Sequence, residues 1–236
     1  MATRATTNKL DLLRKVPLLE GLDEREILRI APFVLARRHP NNQVIFRKGD
    51  EGDSLMIVAE GKVKIRSTSL DGREIVLNLI DTGEVFGEIA MLDGHERSGD
   101  AVAVGDVCLL VISRRDIVPI LHNHPQVSVR LMFLLCERLR RTSEQVEDLV
   151  FLVQSVRLAK TLLRLAQQFG VPGQDSVAIE LKMSQRELGS LVGMRREALN
   201  RQLGTWREEG LIEVSDGRII ICNVPAFERL LDSLIE

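Results

Sequence analysis

The sequence predicts an α+β chain: an N-terminal antiparallel β-roll, a long dimerisation helix, and a C-terminal winged helix-turn-helix. Three observations carry that prediction. Between residues 43 and 113, short apolar runs alternate with glycine turns. From Pro125 to about Val153, apolar residues recur in alternating steps of three and four. Between Ser184 and Ile221, two short helical segments meet at a glycine and are followed by a hairpin pattern.

Each element has a local justification. Residues 16–36 are expected as short helical turns, with Asp23 as N-cap and Glu26 as its capping-box partner. Strands are expected at 44–46, 54–61, 63–65, 75–80 and 107–112, and Asp71-Gly72 is a hairpin signal. No strand–helix–strand alternation is present, which argues against a Rossmann-type nucleotide domain. The long helix carries a seam of Met132, Leu135, Leu139, Thr142, Val146, Leu149 and Val153. That is the heptad rhythm of a two-stranded coiled coil, which pairs with its copy across a two-fold axis. The other interpretation is a core helix packed on its own domain. A second stripe, Val127, Leu131 and Leu134, is placed to cover the roll, so both can hold together. Residues 151–157 are the expected hinge, with Ser155 as N-cap of a helix over 156–169 that stops at Gly170, and 171–176 is expected as a loop. The divisions are 1–124 for the roll, 125–153 for the dimerisation helix and 154–236 for the C-terminal domain.

Composition narrows the function. A chain of 236 residues with 44% hydrophobic and 28% charged residues is ordinary for a two-domain globular protein. No apolar stretch reaches the length of a membrane span, and the N-terminus lacks the apolar core of a signal peptide, so a cytoplasmic protein without a membrane partner is expected. Cys108, Cys136 and Cys222 are far apart and form no metal-ligand pattern, so no metal is expected. With no Tyr and a single Trp, base stacking on single strands is disfavoured.

The C-terminal pattern has a definite chemistry. Ser184-Gln185-Arg186-Glu187 forms a capping box, Leu188, Leu191 and Val192 supply a buried face, and Gly193 makes the turn. On the second helix, 195–208, Leu199, Leu203 and Trp206 face inward by spacing, so Glu197, Asn200 and Arg201 point outward with Arg196 beside them. Arg can bond guanine O6 and N7 with both prongs, and Glu can accept from the cytosine amino group. Alternatively, Glu197 and Arg201 form an i,i+4 ion pair on a solvated face, worth about 0.3–0.5 kcal/mol. The helix-turn-helix frame favours the first reading. Lys+Arg and Asp+Glu balance over 154–236, so only the local excess of Arg counts. Ser184 and Arg186 join Arg195, Arg196, Glu197, Asn200 and Arg201 as candidate contacts to double-stranded DNA.

The stretch 87–100, GEIAMLDGHERSGD, combines an anion cradle with a sugar acceptor. Gly87 allows close backbone approach, and amides of the following turn, Glu88, Ile89 and Ala90, can face a phosphate. Arg97 offers a planar fork of donors and Ser98 a hydroxyl. Glu88 is acceptor-only when ionised and suits a ribose hydroxyl. A surface loop with an incidental Arg–Glu pair is the bland alternative.

These residues resemble the phosphate-binding cassette of the CRP/FNR family of bacterial transcription regulators, in its cyclic-AMP-binding form. The likeness spans roughly residues 15–225. It implies that Glu88 holds the ribose and that Arg97 and Ser98 hold the cyclic phosphate. Thr142 of the same chain and Ser143 of the partner subunit would then touch the base. Arg138 matches a further pocket residue, and Leu77 and Ile65 are candidate walls. Gly99 stands where the pattern has Ala, which is expected to loosen the turn. The family's recognition helix carries Arg, Glu and Arg at the spacing of Arg196, Glu197 and Arg201. This implies a homodimer on palindromic sites with TGTGA-like half-sites, and RNA polymerase as a partner. Ligand binding would lengthen the coiled coil near 146–155 and set the recognition helices roughly 34 Å apart. Cyclic GMP, or no ligand dependence at all, are the alternatives within the family. Family members that sense through an iron–sulfur cluster need clustered N-terminal cysteines, which this chain lacks, and its four histidines are poorly placed for haem. No P-loop, HxxxH or nucleophile elbow supports an enzyme.

Overall fold

The computed structural model describes residues 9–181, 183–215 and 217–235. The chain forms two compact units, Met1–Thr68 with Val76–Arg140, and Ser69–Ile75 with Arg141–Glu236.

In the first unit, residues 9–14 form helix α1, and a 3-10 turn follows at Pro17–Leu19. Helix α2 (Glu24–Ile30) is opened by the expected reciprocal cap of Asp23 and Glu26. One expectation fails next. Residues 34–36 are not helical: Pro32 sits in a 3-10 turn over Ala31–Phe33, and strand β1 begins at Val34. Its six residues, Val34–His39, pair antiparallel with Ile112 back to Val107. That tertiary pairing overrides the local helical pattern.

The remaining strands are β2 (Val44–Phe46), β3 (Ser54–Thr68), β4 (Glu74–Ile80), β5 (Val85–Phe86) and β6 (Asp100–Ser113). The sheet runs β1-β6-β3-β4, with β2 on β6 and β5 on β3. The two runs expected at 54–61 and 63–65 are one long strand with register shifts near Glu60. Both faces of β3 and β6 are buried. Leu55, Ile57, Leu110 and Ile112 join one core, while Met56, Val58, Leu109 and Val111 join another. Two-sided burial explains why these strands read as continuous apolar runs instead of alternating ones.

Helix α3 (Glu88–Asp93) lies between β5 and β6, and helix α4 (Arg114–Asn123) follows the sheet. Helix α5 (Pro125–Phe151) seals the first core with Val127 and Leu131, and Leu134 packs alongside, as the second stripe predicted. Of the seam, Met132, Leu139, Thr142, Val146, Leu149 and Val153 are exposed and Leu135 is half-buried.

The helix break falls within the expected segment 151–157, but the cap is not Ser155. α5 stops at Phe151, and helix α6 (Gln154–Phe169) starts with Val153 at its N-cap, so Ser155 lies inside the first turn. The junction is held by Arg157, whose Nη1 donates to Leu152 O at 2.7 Å and whose Nε donates to Val192 O at 3.2 Å. Two carbonyls left over at helix ends thereby gain a donor. The segment 171–176 is not wholly loop. Strand β7 (Gly170–Pro172) pairs with β8 (Val177–Ile179), and with β9 (Ile212–Ser215) and β10 (Arg218–Ile221) they make a sheet ordered β7-β8-β10-β9. Strands of three residues are too short to show a period.

Candidate ligand site and nucleic-acid interface

The cassette folds around one backbone reversal. Gly87 has φ +78°, a left-handed conformation that β-carbons oppose, and a β-carbon there would lie 2.6 Å from Arg97 Nη1. This turn delivers Glu88 into the interior at 2% exposure, nine residues before Arg97 at 4%. Glu88 forms an ion pair with Arg138 of α5, which also donates to Val85 O. Gly87, Glu88, Arg97 and Arg138 are thus gathered at one place.

Arg97 is gripped from several sides. Nη1 donates to Gly87 O at 2.8 Å and to Ser54 O at 3.0 Å, and Nη2 donates to Ser54 Oγ at 3.0 Å. The guanidinium stacks 4.5 Å from the centre of the Phe46 ring. Its backbone is braced to the loop before β3, with Arg97 N donating to Asp50 O at 2.8 Å and Gly49 N donating to Arg97 O at 3.0 Å. Burial pushes the Arg97 guanidinium below its ordinary pKa, while Asp53, Glu88 and Asp50 pull it back up. An arginine remains charged through such a shift. A buried cation with a carboxylate beside it can hold an anion at one end and a hydroxyl at the other.

The other candidates are placed less uniformly. Ala90 is buried; Ile89 and Ser98 are exposed; Ile65 is half-buried and Leu77 sits at the exposed limit. Thr142 and Ser143 are exposed residues of α5. Gly99 is buried and tight: a β-carbon there would meet Arg66 O at 3.1 Å and Ile65 Cγ2 at 3.3 Å. An Ala at this position would therefore need its neighbours to give by a few tenths of an ångström. Three residues of the cluster were not anticipated from sequence: Ser54, Phe46 and Gly52. A β-carbon on Gly52 would come within 2.3 Å of Ala90 Cβ and 3.1 Å of Arg97 Cδ. Ser54 lies 43 residues from Arg97, and no local pattern links them.

In the second unit the capping box is present: Glu187 N donates to Ser184 Oγ at 3.2 Å and Ser184 N donates to Glu187 Oε2 at 3.0 Å. It opens α7 (Gln185–Val192), and Gly193 turns the chain into α8 (Arg196–Glu208), with Arg195 at its N-cap. Leu199, Leu203 and Trp206 are buried as the spacing requires. Trp206 meets Phe227 edge-on, with ring centres 5.1 Å apart. Phe227 belongs to helix α9 (Val224–Ile235), an element not anticipated, which packs against α6. Its start is marked by Asn223, whose Oδ1 accepts from Ala226 N at 2.9 Å. Arg195, Arg196, Glu197, Asn200 and Arg201 are exposed together, and so are Ser184 and Arg186. Among the described residues no ion pair joins Glu197 to Arg201. Likewise among these residues, no three His, Cys, Asp or Glu side chains converge as metal ligands, and no helix is long and apolar enough to cross a membrane.

Known proteins match both halves. Residues 36–124 fit the cyclic nucleotide-binding domain model, and residues 156–230 fit the Crp-like helix-turn-helix domain model. The chain is 34% identical over 214 residues to the cyclic AMP receptor protein of Thermus thermophilus, covering 91% of this chain and 96% of that one. It is 29% identical over 219 residues to a CRP-like cAMP-activated global transcriptional regulator of Mycobacterium tuberculosis, covering 93% and 98%. Among solved structures, the c-di-GMP responsive global regulator CLP of Xanthomonas campestris superposes with a TM-score of 0.76 at 25% identity, covering 86% of this chain and all of that one.

Proposed function

Since the chain belongs to the CRP/FNR family of DNA-binding transcription regulators, with a cyclic nucleotide-binding domain and no enzymatic role, we propose that it is a cyclic-AMP-dependent homodimer acting on palindromic sites with TGTGA-like half-sites. The observation that carries the proposal is the burial of Glu88 and Arg97 beside the Gly87 turn, a carboxylate paired with Arg138 and a guanidinium close enough to feel its charge. Arg97 takes the cyclic phosphate with Ser98 beside it, and Glu88 takes the ribose hydroxyl. The family resemblance assigns the base to Thr142 and to Ser143 of the partner subunit, with Arg138 in support. Two relatives named as cyclic AMP regulators favour that nucleotide.

Dimerisation uses the exposed apolar seam of α5, whose heptad spacing suits a copy of itself. DNA reading falls to Arg196, Glu197 and Arg201, with Arg195, Asn200, Ser184 and Arg186 flanking. The ligand acts only through its difference in affinity for two arrangements of the recognition helices. RNA polymerase is the partner such a regulator works on, and the cytoplasm is where it works.

Calorimetric titration with cyclic AMP, cyclic GMP and c-di-GMP tests the ligand, the last because of the Xanthomonas relative. A gel shift on a TGTGA-type palindrome, with and without each nucleotide, tests the coupling. Tight DNA binding that no nucleotide changes would sink the proposal.

A further inference from the structure

We infer that Ser54 and Phe46 hold the Arg97 guanidinium so that only its Nε–Nη2 edge is left for a phosphate, with Ser54 as the positioning residue. The inference rests on Arg97 being the phosphate ligand, as proposed above.

A guanidinium carries five N–H donors in one plane. Three are committed inside the protein: both hydrogens of Nη1, to Gly87 O and Ser54 O, and one of Nη2, to Ser54 Oγ. The two left over are Nε–H and the second Nη2–H. Covalent geometry puts these on the same side of the group, parallel and pointing together. Nε is buried and has no partner among the described residues. A buried donor without an acceptor is unfavourable, and two parallel free donors are the pattern by which arginine takes a phosphate with both prongs.

Ser54 is suited to set this edge because it grips two nitrogens at once, Nη1 through its carbonyl and Nη2 through its hydroxyl. It is itself buried. Phe46 covers one face of the group, and Gly52 leaves no room for a β-carbon beside Cδ. Removing the Ser54 hydroxyl frees Nη2, and the exocyclic nitrogens can then rock about the Nε–Cζ bond, restrained only by the Nη1 contacts to Gly87 O and Ser54 O. A fixed fork distinguishes the two non-equivalent exocyclic oxygens of a cyclic phosphate; a rocking one does not.

The test uses the full chain with Ser54→Ala and Ser54→Thr. Nitrogen-15 NMR of the arginine side chains, without nucleotide, reads the grip directly, with the Arg97 signals assigned by their loss in Arg97→Lys. Separate, slowly rotating Nη1 and Nη2 signals are expected in the parent, averaged signals in Ser54→Ala, and recovery in Ser54→Thr. Calorimetry with the two phosphorothioate diastereomers of cyclic AMP then reads the consequence. Ser54→Ala is expected to weaken cyclic AMP binding by about tenfold and to pull the ratio between diastereomers toward one, with Thr restoring both. Arg97 signals unchanged by Ser54→Ala, or an affinity loss equal for both diastereomers, would overturn the inference. If the parent protein bound no cyclic nucleotide, the ligand assignment would fall, and the NMR signals alone would decide whether Ser54 holds Arg97.

Discussion

Replacing Arg97 with Leu separates what this side chain does for folding from what it does for the ligand. For folding, the substitution removes donors from Gly87 O, Ser54 O and Ser54 Oγ, which accept at 2.8–3.0 Å. Each buried acceptor left without a donor costs about 1–3 kcal/mol. Against that, the protein no longer buries a cation that Asp53, Glu88 and Asp50 only partly compensate. The two effects oppose each other, so a net loss of only about 1–3 kcal/mol is expected, within reach of a folded chain. For the ligand, the free Nε–Nη2 fork supplies two charge-assisted hydrogen bonds, worth about 1.5–3 kcal/mol each. Losing both weakens a cyclic nucleotide by roughly a hundredfold to ten-thousandfold at 1.4 kcal/mol per decade. The assay is calorimetric titration with cyclic AMP, beside a thermal melt and sedimentation of the same preparation. The expected result is a folded dimer that titrates no nucleotide in the working range and gives no ligand-dependent gel shift. Normal titration by this variant would refute the reasoning, because no other described side chain in the cassette supplies an equivalent buried cation.

Other perturbations address the rest of the molecule. Glu197→Ala should relax discrimination at one base pair by about 1–3 kcal/mol while leaving nucleotide affinity unchanged; competition gel shifts against single-base operator variants measure it, and unchanged specificity removes Glu197 from the reading set. Trp206→Ala should destabilise the second unit by about 3–5 kcal/mol, since the ring is buried and packs edge-on against Phe227. Circular dichroism in urea reads the loss, because Trp206 is the sole tryptophan and its fluorescence disappears with it. Thiol labelling near pH 8 should modify exposed Cys136 well before Cys108, which is buried and whose thiol pKa is raised by burial, so that less of it is thiolate at that pH. Peptide mapping of a time course checks the order, and prior modification of Cys108 would contradict the packing of β6 against β1.

Where the sequence carried a reciprocal capping box or an inward-facing period, it located the element; the single cap read at Ser155 misplaced the start of α6. The Asp23–Glu26 and Ser184–Glu187 boxes, the glycine after α7 and the inward set Leu199, Leu203 and Trp206 all rest on contacts within a few residues. Such contacts are written into local spacing. Failures occurred where partners are distant. β1 was hidden because the strand it pairs with, β6, lies some seventy residues on. β7 and β8 are too short to carry a period. The start of α6 is fixed by a side chain, Arg157, reaching back to α5 and across to α7. α9 carried an Asn cap and an apolar stripe that could have revealed it.

The candidate site divides the same way. The linear motif supplied the groups on which the proposed chemistry rests: an acidic residue suited to a sugar hydroxyl, a basic one suited to a phosphate, and a glycine where the backbone turns left-handed. Only the tertiary structure decided which nitrogens of Arg97 are spent inside the protein and which stay free. It also brought in Ser54, Phe46 and Gly52 as neighbours of that side chain. The physical reason is that residue type and spacing fix what a group can bond. The direction in which a buried donor points depends on acceptors delivered by strands and helices dozens of residues away.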